Sequence, residues 1–432
     1  MSVALELNLA PRVDTLARAL RDRRGLAVLL SSPTHALRLE DARFSYIACD
    51  PVEVFQGWIP PPSAQEEGWG GYSAAPRWIG GIPYEAMRNI ERSSYKPVER
   101  RPPPWTEQPI WFRYDAVLRV DHLSGQVVIE GDDERSRMQL ARKIDITLSH
   151  PKPFSIEQII CEELDSQYLS RIRTALEWIK RGDIYLVNMA RQLVSRVDGS
   201  LLDLFLALYR RSPAPYGLFL DTGHSVWCAA SPELALEVRR GRIRTGPIKG
   251  TRPRGVDAQS DRKLQQELAC SEKEKAELAM VTDLHRNDLG IVARRGGVRV
   301  RYGEHFLPTK TVWSRISEVI AVLRPDVSWD QVLRVTLPCG SVTGAPKIRA
   351  MEAIATLEPF RRGLYTGAFG YMGRDGAFCL SVAIRMLEVK EKALVYCSGG
   401  GIVADSDPHA ELEETHWKAA QLVSLSAQGR ET

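Results

Sequence analysis

The sequence lacks the features that define several classes of protein. No apolar run reaches the roughly 18 residues that a transmembrane helix needs, and charges interrupt the N-terminal positions where a secretory signal peptide would be apolar. The seven cysteines are odd in number, widely spaced and without a C-x-x-C pair, which argues against a disulfide framework or a zinc knuckle. We therefore expect a cytoplasmic protein with no membrane partner, in which most cysteines are buried thiols.

An excess of charge of one sign is also missing. The chain of 432 residues has 58 basic and 54 acidic residues, a formal net charge of +4. Its densest basic runs, at 239–244 and 252–254, contain no interleaved aromatic residues, so we expect no nucleic-acid partner. A hydrophobic content of 44% and a charged content of 26% are ordinary for a globular chain, and the length predicts a large core.

Two segments rich in proline, glycine and serine, at 60–76 and 93–109, are predicted to be loops. A further loop-rich boundary near 150–165 divides an N-terminal region, 1–150, from a motif-dense region, 160–426. We expect the second region to carry the catalytic and binding residues.

Short strand-like runs separated by short turns predict an α+β fold with largely antiparallel sheets and helices on their outer faces. A hairpin is predicted from 116–120 and 126–130, and a helix from Asp165–Lys180, where apolar residues recur at helical spacing. The regular βαβ alternation of a doubly wound fold is absent. Further strands are predicted at 185–188, 216–220, 225–229, 234–238, 297–300, 365–372, 378–385 and 393–397.

Two predicted helices each carry carboxylates on one face, because residues three or seven apart nearly align on a helix. They are Glu274 and Glu277 on a helix at 272–289, and Glu411 and Glu414, followed by Lys418, on a helix at 408–424. Oxygen-only ligands suit Mg²⁺, which typically sits on one or two carboxylates plus substrate oxygens. The alternative is a pair of surface helices whose carboxylates form intrahelical ion pairs, Glu414 with Lys418 included.

Glycine-rich turns form the second group of candidate binding elements. They lie at 246–251, 340–347, 367–373 and 399–401. Glycines let backbone N–H groups approach a small anion, and a helix N-terminus adds a favourable dipole. The turn at 340–347 is not a nucleotide-binding P-loop, because Ala345 and Pro346 separate its second glycine from Lys347, and a carboxylate ligand fits equally well.

Two cations stand near these turns. Arg385, at the end of a predicted strand, could grip a carboxylate through two hydrogen bonds, or it could be an exposed strand-end residue. Lys249 is a candidate nucleophile, since partial burial favours a free amine over an ammonium group. A lysine between Ile248 and Gly250 could equally be an exposed turn residue.

Seven sequence blocks follow one another in the second region. They are S-P-E at 231–233, P-I-K-G-T-R-P-R-G at 247–255, D-L-H-R-N-D-L-G at 283–290, G-S-V-T-G-A-P-K-I-R-A-M-E-A-I at 340–354, L-E-P-F-R-R-G-L-Y-T-G-A-F-G-Y at 357–371, A-I-R at 383–385 and G-G-G-I-V-A-D-S-D-P-H-A-E-L-E-E-T at 399–415. Together they resemble the chorismate-utilising enzymes, a family that includes anthranilate, isochorismate, salicylate and aminodeoxychorismate synthases. The resemblance implies two large, mostly antiparallel β-sheets packed face to face with helices on the outside.

With lysine at position 249, the chain resembles the aminodeoxychorismate branch of that family, whereas anthranilate synthases carry alanine there. The resemblance implies that Lys249 attacks C2 of chorismate, that the C4 hydroxyl leaves with a proton from Glu233, and that ammonia then displaces the enzyme amine. The product would be 4-amino-4-deoxychorismate, on the route to 4-aminobenzoate and folate. Ammonia would come from a separate glutamine amidotransferase subunit.

The resemblance also implies a cofactor and substrate contacts. Mg²⁺ would be held by Glu277 and Glu414, with Glu274 and Glu411 reaching it through water. The substrate contacts would be Gly250, Thr251, Thr343, Gly344, Tyr365, Arg385, Gly399, Gly400, Gly401 and Lys418. Tryptophan is a further expected ligand in the N-terminal region, near 30–31 and 43–45.

Two positions depart from the family pattern. Ser314 stands where the family usually has an active-site histidine, and Leu186 stands where it usually has glutamine. Serine can donate a hydrogen bond, but it is not a proton shuttle near neutral pH. Two rival interpretations stay open: an anthranilate- or isochorismate-type enzyme in which Lys249 is incidental, and a chorismate- or tryptophan-binding protein that has lost turnover.

Overall fold

The computed structural model describes residues 5–6, 12–32, 42–60, 75–88, 105–309, 312–373 and 376–428. The loops predicted at 60–76 and 93–109 fall largely outside these ranges. All seven cysteines lie within them as free thiols, and four are buried. Among the helices of the described ranges, none is both long and apolar enough to cross a membrane.

The described residues form two antiparallel sheets. Their strands, in chain order, are β1 (Leu5–Glu6), β2 (Ala27–Leu30), β3 (Phe44–Ala48), β4 (Glu53–Gln56), β5 (Pro76–Ile82), β6 (Ile110–Arg113), β7 (Ala116–Asp121), β8 (Val127–Gly131), β9 (Phe154–Ile156), β10 (Ile160–Cys161), β11 (Leu186–Gly199), β12 (Tyr216–Asp221), β13 (Val226–Ser231), β14 (Leu234–Arg239), β15 (Arg242–Gly246), β16 (Ile248–Pro253), β17 (Arg299–Pro308), β18 (Val312–Val322), β19 (Gly344–Ala345), β20 (Ala368–Gly373), β21 (Phe378–Val382), β22 (Met386–Lys390) and β23 (Ala393–Ile402).

Helices cover both sheets. Within the described ranges they are α1 (Val13–Ala19), α2 (Tyr84–Arg88), α3 (Glu134–Lys143), α4 (Asp165–Lys180), α5 (Leu201–Arg211), α6 (Ala258–Cys270), α7 (Glu272–Val292), α8 (Trp329–Thr336), α9 (Lys347–Leu357) and α10 (Pro408–Gln428), with short 3₁₀ turns at Ile146–Leu148 and Gly340–Val342.

The larger sheet has 13 strands in the order β1-β8-β7-β3-β2-β12-β13-β22-β23-β11-β10, with β9 and β19 also paired to β11. The smaller sheet has 10 strands in the order β16-β18-β15-β14-β21-β20-β5-β6-β4, with β17 paired to β18. Each sheet therefore combines strands from the first 131 residues with strands that lie between residues 368 and 402. The hairpin predicted at 116–130 is confirmed as β7 and β8.

Apolar side chains pack between the sheets and on their outer faces. Leu29 of the larger sheet meets Ile79 and Phe369 of the smaller one in a single buried cluster. On the outside, Phe205 of α5 packs on the larger sheet and Leu289 of α7 on the smaller one. Each fully buried side chain of this size stabilises the fold by about 1.5–3 kcal/mol. The predicted arrangement of two facing sheets with external helices is confirmed.

Several element ends differ from the sequence prediction for backbone reasons. The helix at Asp165–Lys180 is confirmed at both ends. The strand predicted at 365–372 begins only at Ala368, because Thr366 has a φ of +62° and cannot continue an extended strand. The strand predicted at 378–385 ends at Val382, and Arg385 lies beyond it with a φ of +49°.

Candidate active site

Lys249 lies on β16, an edge strand of the smaller sheet, and its side chain is half-buried. Opposite it on β18 stands Arg315, whereas Thr251 pairs with Ser314, so the register shifts between the two pairs. Gly250 occupies the shift with a φ of +76°, and a β-carbon there would stand 3.0 Å from Glu274 Oε2. The turn needs glycine, because only glycine accepts this conformation beside a neighbouring side chain without strain.

Three consecutive glycines at the end of β23, in the larger sheet, lie close to the side chain of Lys249. A β-carbon on Gly401 would stand 2.8 Å from Lys249 Nζ and 3.8 Å from Glu277 Oε2. One on Gly400 would stand 3.1 Å from Glu411 Oε2 and 3.4 Å from Glu414 Oε1. The glycines thus leave room for a lysine and three carboxylates that come from three separate elements, β16, α7 and α10.

The four carboxylates predicted for Mg²⁺ all face cations of the chain. Glu274 is 2.6 Å from Arg252, Glu411 is 3.1 Å from Lys273, Glu277 is 4.0 Å from Lys273, and Glu414 is 2.5 Å from Lys418. Lys418 also donates a hydrogen bond to the Gly399 carbonyl at 2.8 Å. As these side chains stand, the described part of the chain contains no group of three or more acidic, histidine or cysteine side chains arranged to hold a metal.

The surroundings of Glu277 and Glu414 shift the pKa values of these two carboxyl groups in opposite directions. Burial raises the pKa of Glu277, with Glu411 and Glu414 adding to the rise and Lys249 and Lys273 opposing it. Burial acts to raise the pKa of Glu414 as well, but Lys418, Lys249 and Lys273 together hold it below its ordinary value. Carboxylates on α7 and α10 therefore interact electrostatically with each other and with Lys249.

The donor set of this cluster fits Mg²⁺. Its ligand atoms are carboxylate oxygens, which this small hard cation prefers. Glu411 is 3% exposed, and its buried Oε2 atom has no hydrogen-bond partner. That oxygen faces the backbone of Gly400 beside Glu414 Oε1. A buried, unpaired carboxylate oxygen is costly, and a bound cation would satisfy it.

Glu233 follows β13 and is 3% exposed. Burial raises its pKa to about 7, although Ser341, Lys249, the Ile248 backbone N–H and Lys418 all act to lower it. Its Oε1 atom is buried without a hydrogen-bond partner. A carboxyl group with a pKa near neutrality exists in both protonation states at working pH, which suits a general acid or base.

Thr343 and Gly344, expected to contact substrate, are tied to the edge of β11. The Thr343 hydroxyl donates to the Cys339 carbonyl at 2.8 Å, and its own carbonyl accepts from the Asn188 N–H at 2.8 Å. Gly344 has a φ of +140°, and a β-carbon there would stand 2.0 Å from the Leu186 carbonyl oxygen. Both residues shape the strand beside the cluster.

Arg385 and Tyr365 are two further residues that the sequence predicts to contact substrate. Arg385 is half-buried and donates to Ser212 Oγ at 3.4 Å. Tyr365 packs with Ala190, Phe360 and Cys397. In the described ranges neither side chain hydrogen-bonds or ion-pairs with Lys249 or the four carboxylates.

The two departures noted in the sequence, Ser314 and Leu186, are both buried. Ser314 is 3% exposed and stands opposite Thr251 across the β16–β18 pair. Leu186 is 1% exposed, and its Cδ1 would be 3.2 Å from a β-carbon on Gly401, so it forms an apolar wall beside Lys249. Leu186 was singled out in the sequence, but this apolar contact was not foreseen. Lys273 was missed, although its spacing of four residues from Glu277 on a predicted helix could have indicated it.

The region expected to hold tryptophan borders a cavity between the sheets. Ser31, Phe44 and Tyr46 line it from the larger sheet, and Arg239 and Tyr371 line it from the smaller one. Five of its sixteen lining residues are aromatic, and three charged residues, Glu237, Arg239 and Arg244, line it from the smaller sheet.

Comparisons with known proteins agree with the fold and the motifs. A family model described as chorismate binding enzyme matches residues 42–424. Anthranilate synthase component 1 of Thermus thermophilus is 43% identical over 256 residues, which are 59% of this chain and 55% of that protein. Aminodeoxychorismate synthase component 1 of Klebsiella aerogenes is 36% identical over 319 residues, which are 72% of this chain and 69% of that protein.

A solved structure, anthranilate synthase component I from Streptococcus pneumoniae, superposes with a TM-score of 0.74 at 27% identity, covering 88% of this chain and 91% of that one. The alignments to three anthranilate synthase components span only 51 to 55% of the length of those proteins. Relatives with two different reactions are thus similar to this chain to a comparable degree.

Proposed function

Because the chain belongs to the chorismate-binding enzyme family, we propose that it is an aminodeoxychorismate synthase that uses Lys249 as its nucleophile. Relatives named for two reactions match the chain, so the names alone do not select one. The observation that carries the proposal is the environment of Lys249, a half-buried lysine beside the carboxylates of α7 and α10 and the glycines of β23.

The proposed reaction proceeds in two substitutions. The free amine of Lys249 forms a bond to C2 of chorismate, the ring double bonds shift, and the C4–O bond breaks as Glu233 protonates the departing hydroxyl to water. Ammonia then bonds to C4, the double bonds shift back, and the C2–N bond breaks to release Lys249. The proton lost by the incoming nitrogen returns to Glu233. The product is 4-amino-4-deoxychorismate, and pyruvate is not eliminated.

The burial of Glu233 supports its role as the acid. With a pKa of about 7, a substantial fraction of the group is protonated near neutral pH. Mg²⁺ would be held by Glu277 and Glu414, with Glu274 and Glu411 assisting, and would supply positive charge for the ring carboxylate. Gly250, Thr251, Tyr365, Arg385 and Lys418 are proposed to orient the ring and the enolpyruvyl group.

Ammonia is proposed to come from a separate glutamine amidotransferase subunit. A relative is named component 1 of aminodeoxychorismate synthase, which supports a chain that works with a second component. We also propose that the cavity near Ser31 and Phe44 binds tryptophan, because the aromatic residues of its lining suit an indole ring. Arg239 and Arg244, which both pair with Glu237, supply positive charge for a carboxylate. Calorimetric titration with tryptophan tests this, and no heat of binding would refute it.

The deciding experiment incubates the purified chain with chorismate, Mg²⁺ and an ammonium salt at mildly alkaline pH, followed by mass spectrometry. A product with hydroxyl replaced by amine and pyruvate retained is expected, and Lys249→Ala should abolish it while Lys263→Ala, at an exposed lysine of α6, should not. Anthranilate or isochorismate as the product would exclude the lysine mechanism. Unchanged chorismate with a measurable affinity would favour a binding protein without turnover.

A further inference from the structure

Lys273 lies between acidic residues of two helices. It belongs to the first turn of α7, and its Nζ is 3.1 Å from Glu411 Oε1 on α10 and 4.0 Å from Glu277 Oε1 one turn along α7. The lysine side chain is 37% exposed, whereas the side chains of Glu411 and Glu277 are 3% and 10% exposed. A single, partly exposed cation therefore faces two buried carboxylates.

The carboxylates need such a cation whenever no metal is present. Glu277, Glu411 and Glu414 approach one another from α7 and α10, and their mutual repulsion contributes to the raised pKa of Glu277. Leaving a buried carboxylate without a counter-charge is strongly unfavourable. Ser406 donates one hydrogen bond to Glu411 Oε1 at 2.7 Å, but Glu411 Oε2 has no partner. Lys273 thus offsets only part of the negative charge.

The other two lysines of the cluster have different partners. Lys418 contacts Glu414 on its own helix and the Gly399 carbonyl. Lys249 points toward Gly401 and is the proposed nucleophile. Lys273 bridges the two acidic helices, and its flexible stem lets it withdraw into solvent without moving either backbone.

We propose that Lys273 is a built-in counter-ion of the metal site, which holds the acidic residues of α7 and α10 together until Mg²⁺ displaces its ammonium group. This inference rests on the magnesium site of the proposed function and assigns Lys273 a positioning role, without contact to substrate. Binding of Mg²⁺ then becomes an exchange of cations, and the lysine weakens the apparent affinity by competing for the same oxygens.

The test compares Lys273→Met with Lys275→Met by calorimetric titration of Mg²⁺ into the chain without chorismate. Lys275 is a matched control on the same helix, 56% exposed and paired only at 3.7 Å with Glu272. Removing the competitor should tighten the dissociation constant for Mg²⁺ roughly three- to tenfold, and the control should behave as wild type. The melting temperature of Lys273→Met should be lower without Mg²⁺ and should rise more than that of wild type when Mg²⁺ is added.

Distinct outcomes separate this inference from the proposed function. An unchanged or weaker Mg²⁺ affinity in Lys273→Met, with wild type binding the ion, overturns the counter-ion role and leaves the metal site standing. No binding by either protein overturns both. If Lys273→Met does not fold, Lys273→Gln, which keeps hydrogen-bond donors and removes the charge, is titrated in its place and must show the same tightening.

Discussion

Gly401 and Lys249 come from different sheets, yet a β-carbon on the glycine would stand 2.8 Å from the lysine Nζ. The ends of β23 and β16 therefore meet at the amine that we propose as the nucleophile. Because the neighbour is the flexible end of a side chain and not backbone, the glycine matters more for the position of Lys249 than for the fold.

A methyl group at position 401 should disturb chemistry without unfolding the protein. We expect Gly401→Ala to lower the rate of amination by at least about tenfold, since displacements near 1 Å at a reacting group cost up to 10²-fold, while the urea midpoint changes little. Gly303→Ala, in an exposed part of β17 where a β-carbon meets nothing within 4 Å, is the matched control. Equal activity of both variants would contradict the proposed place of Lys249.

Replacing Glu233 by glutamine should change both the reaction rate and the pH dependence of stability. Loss of a general acid lowers the rate by about 10²–10⁴-fold. Stability should respond to pH as well, because the folded pKa of about 7 exceeds the ordinary value of 4.5. The group binds its proton more tightly in the folded state, so its contribution is complete below 4.5 and is lost as pH rises through 7.

Glu233→Gln removes that dependence. We therefore expect urea denaturation to show that, between pH 5 and pH 8, the free energy of unfolding of the variant increases relative to that of wild type by on the order of 2–3 kcal/mol. A constant difference between the two proteins would mean that Glu233 is ionised throughout the range.

His285 should make the fold sensitive to acid. It is 3% exposed, its Nδ1 lies 2.8 Å from Thr245 Oγ1, and burial lowers its pKa from 6.5 to about 3. The unfolded chain takes up a proton below 6.5 and the folded chain does not, so stability falls as pH decreases from there. Between pH 6.5 and pH 5 the free energy of unfolding should fall by about 2 kcal/mol. Guanidinium unfolding curves of His285→Gln should show a smaller decrease over the same pH range.

The conformation of Gly344 should make it a sensitive position for stability. Its φ of +140° is rare for other residues, and a β-carbon would collide with the Leu186 carbonyl at 2.0 Å. Gly344→Ala should destabilise the fold by about 2 kcal/mol or more. At Gly290, inside α7 with nothing within 4 Å of a β-carbon, the same substitution should stabilise by up to about 1 kcal/mol. Thermal unfolding of both variants measures the contrast.

Periodicity predicted the long elements well and their ends less well. The helix at Asp165–Lys180 has its apolar residues on one face, which fixes both its type and its length. The start of β20 and the end of β21 lie near Thr366 and Arg385, whose backbones are left-handed. Neither residue type favours that conformation, so the sequence did not predict it.

The candidate site was predictable where it depends on helical spacing. The positions of Glu411 and Glu414 on one face of α10 follow from a spacing of three residues. Their approach to Gly400 and Lys249 depends on how two sheets pack, which no local pattern encodes. The same applies to Lys273, whose partner Glu411 is 138 residues away in the chain. The roles of these residues in catalysis and metal binding stay predictions.

The order of strands has a consequence for how the protein is made on the ribosome. In the smaller sheet β5 pairs with β20, so Ile82 has no strand partner on that side until Ala368 has been synthesised. In the larger sheet β22 and β23 lie between β13 and β11. At a synthesis rate of about 5–20 residues per second, Ile82 emerges roughly 15–60 s before its partner. During that interval the early strands have unpaired edges, which expose the growing chain to self-association until its last quarter has been translated.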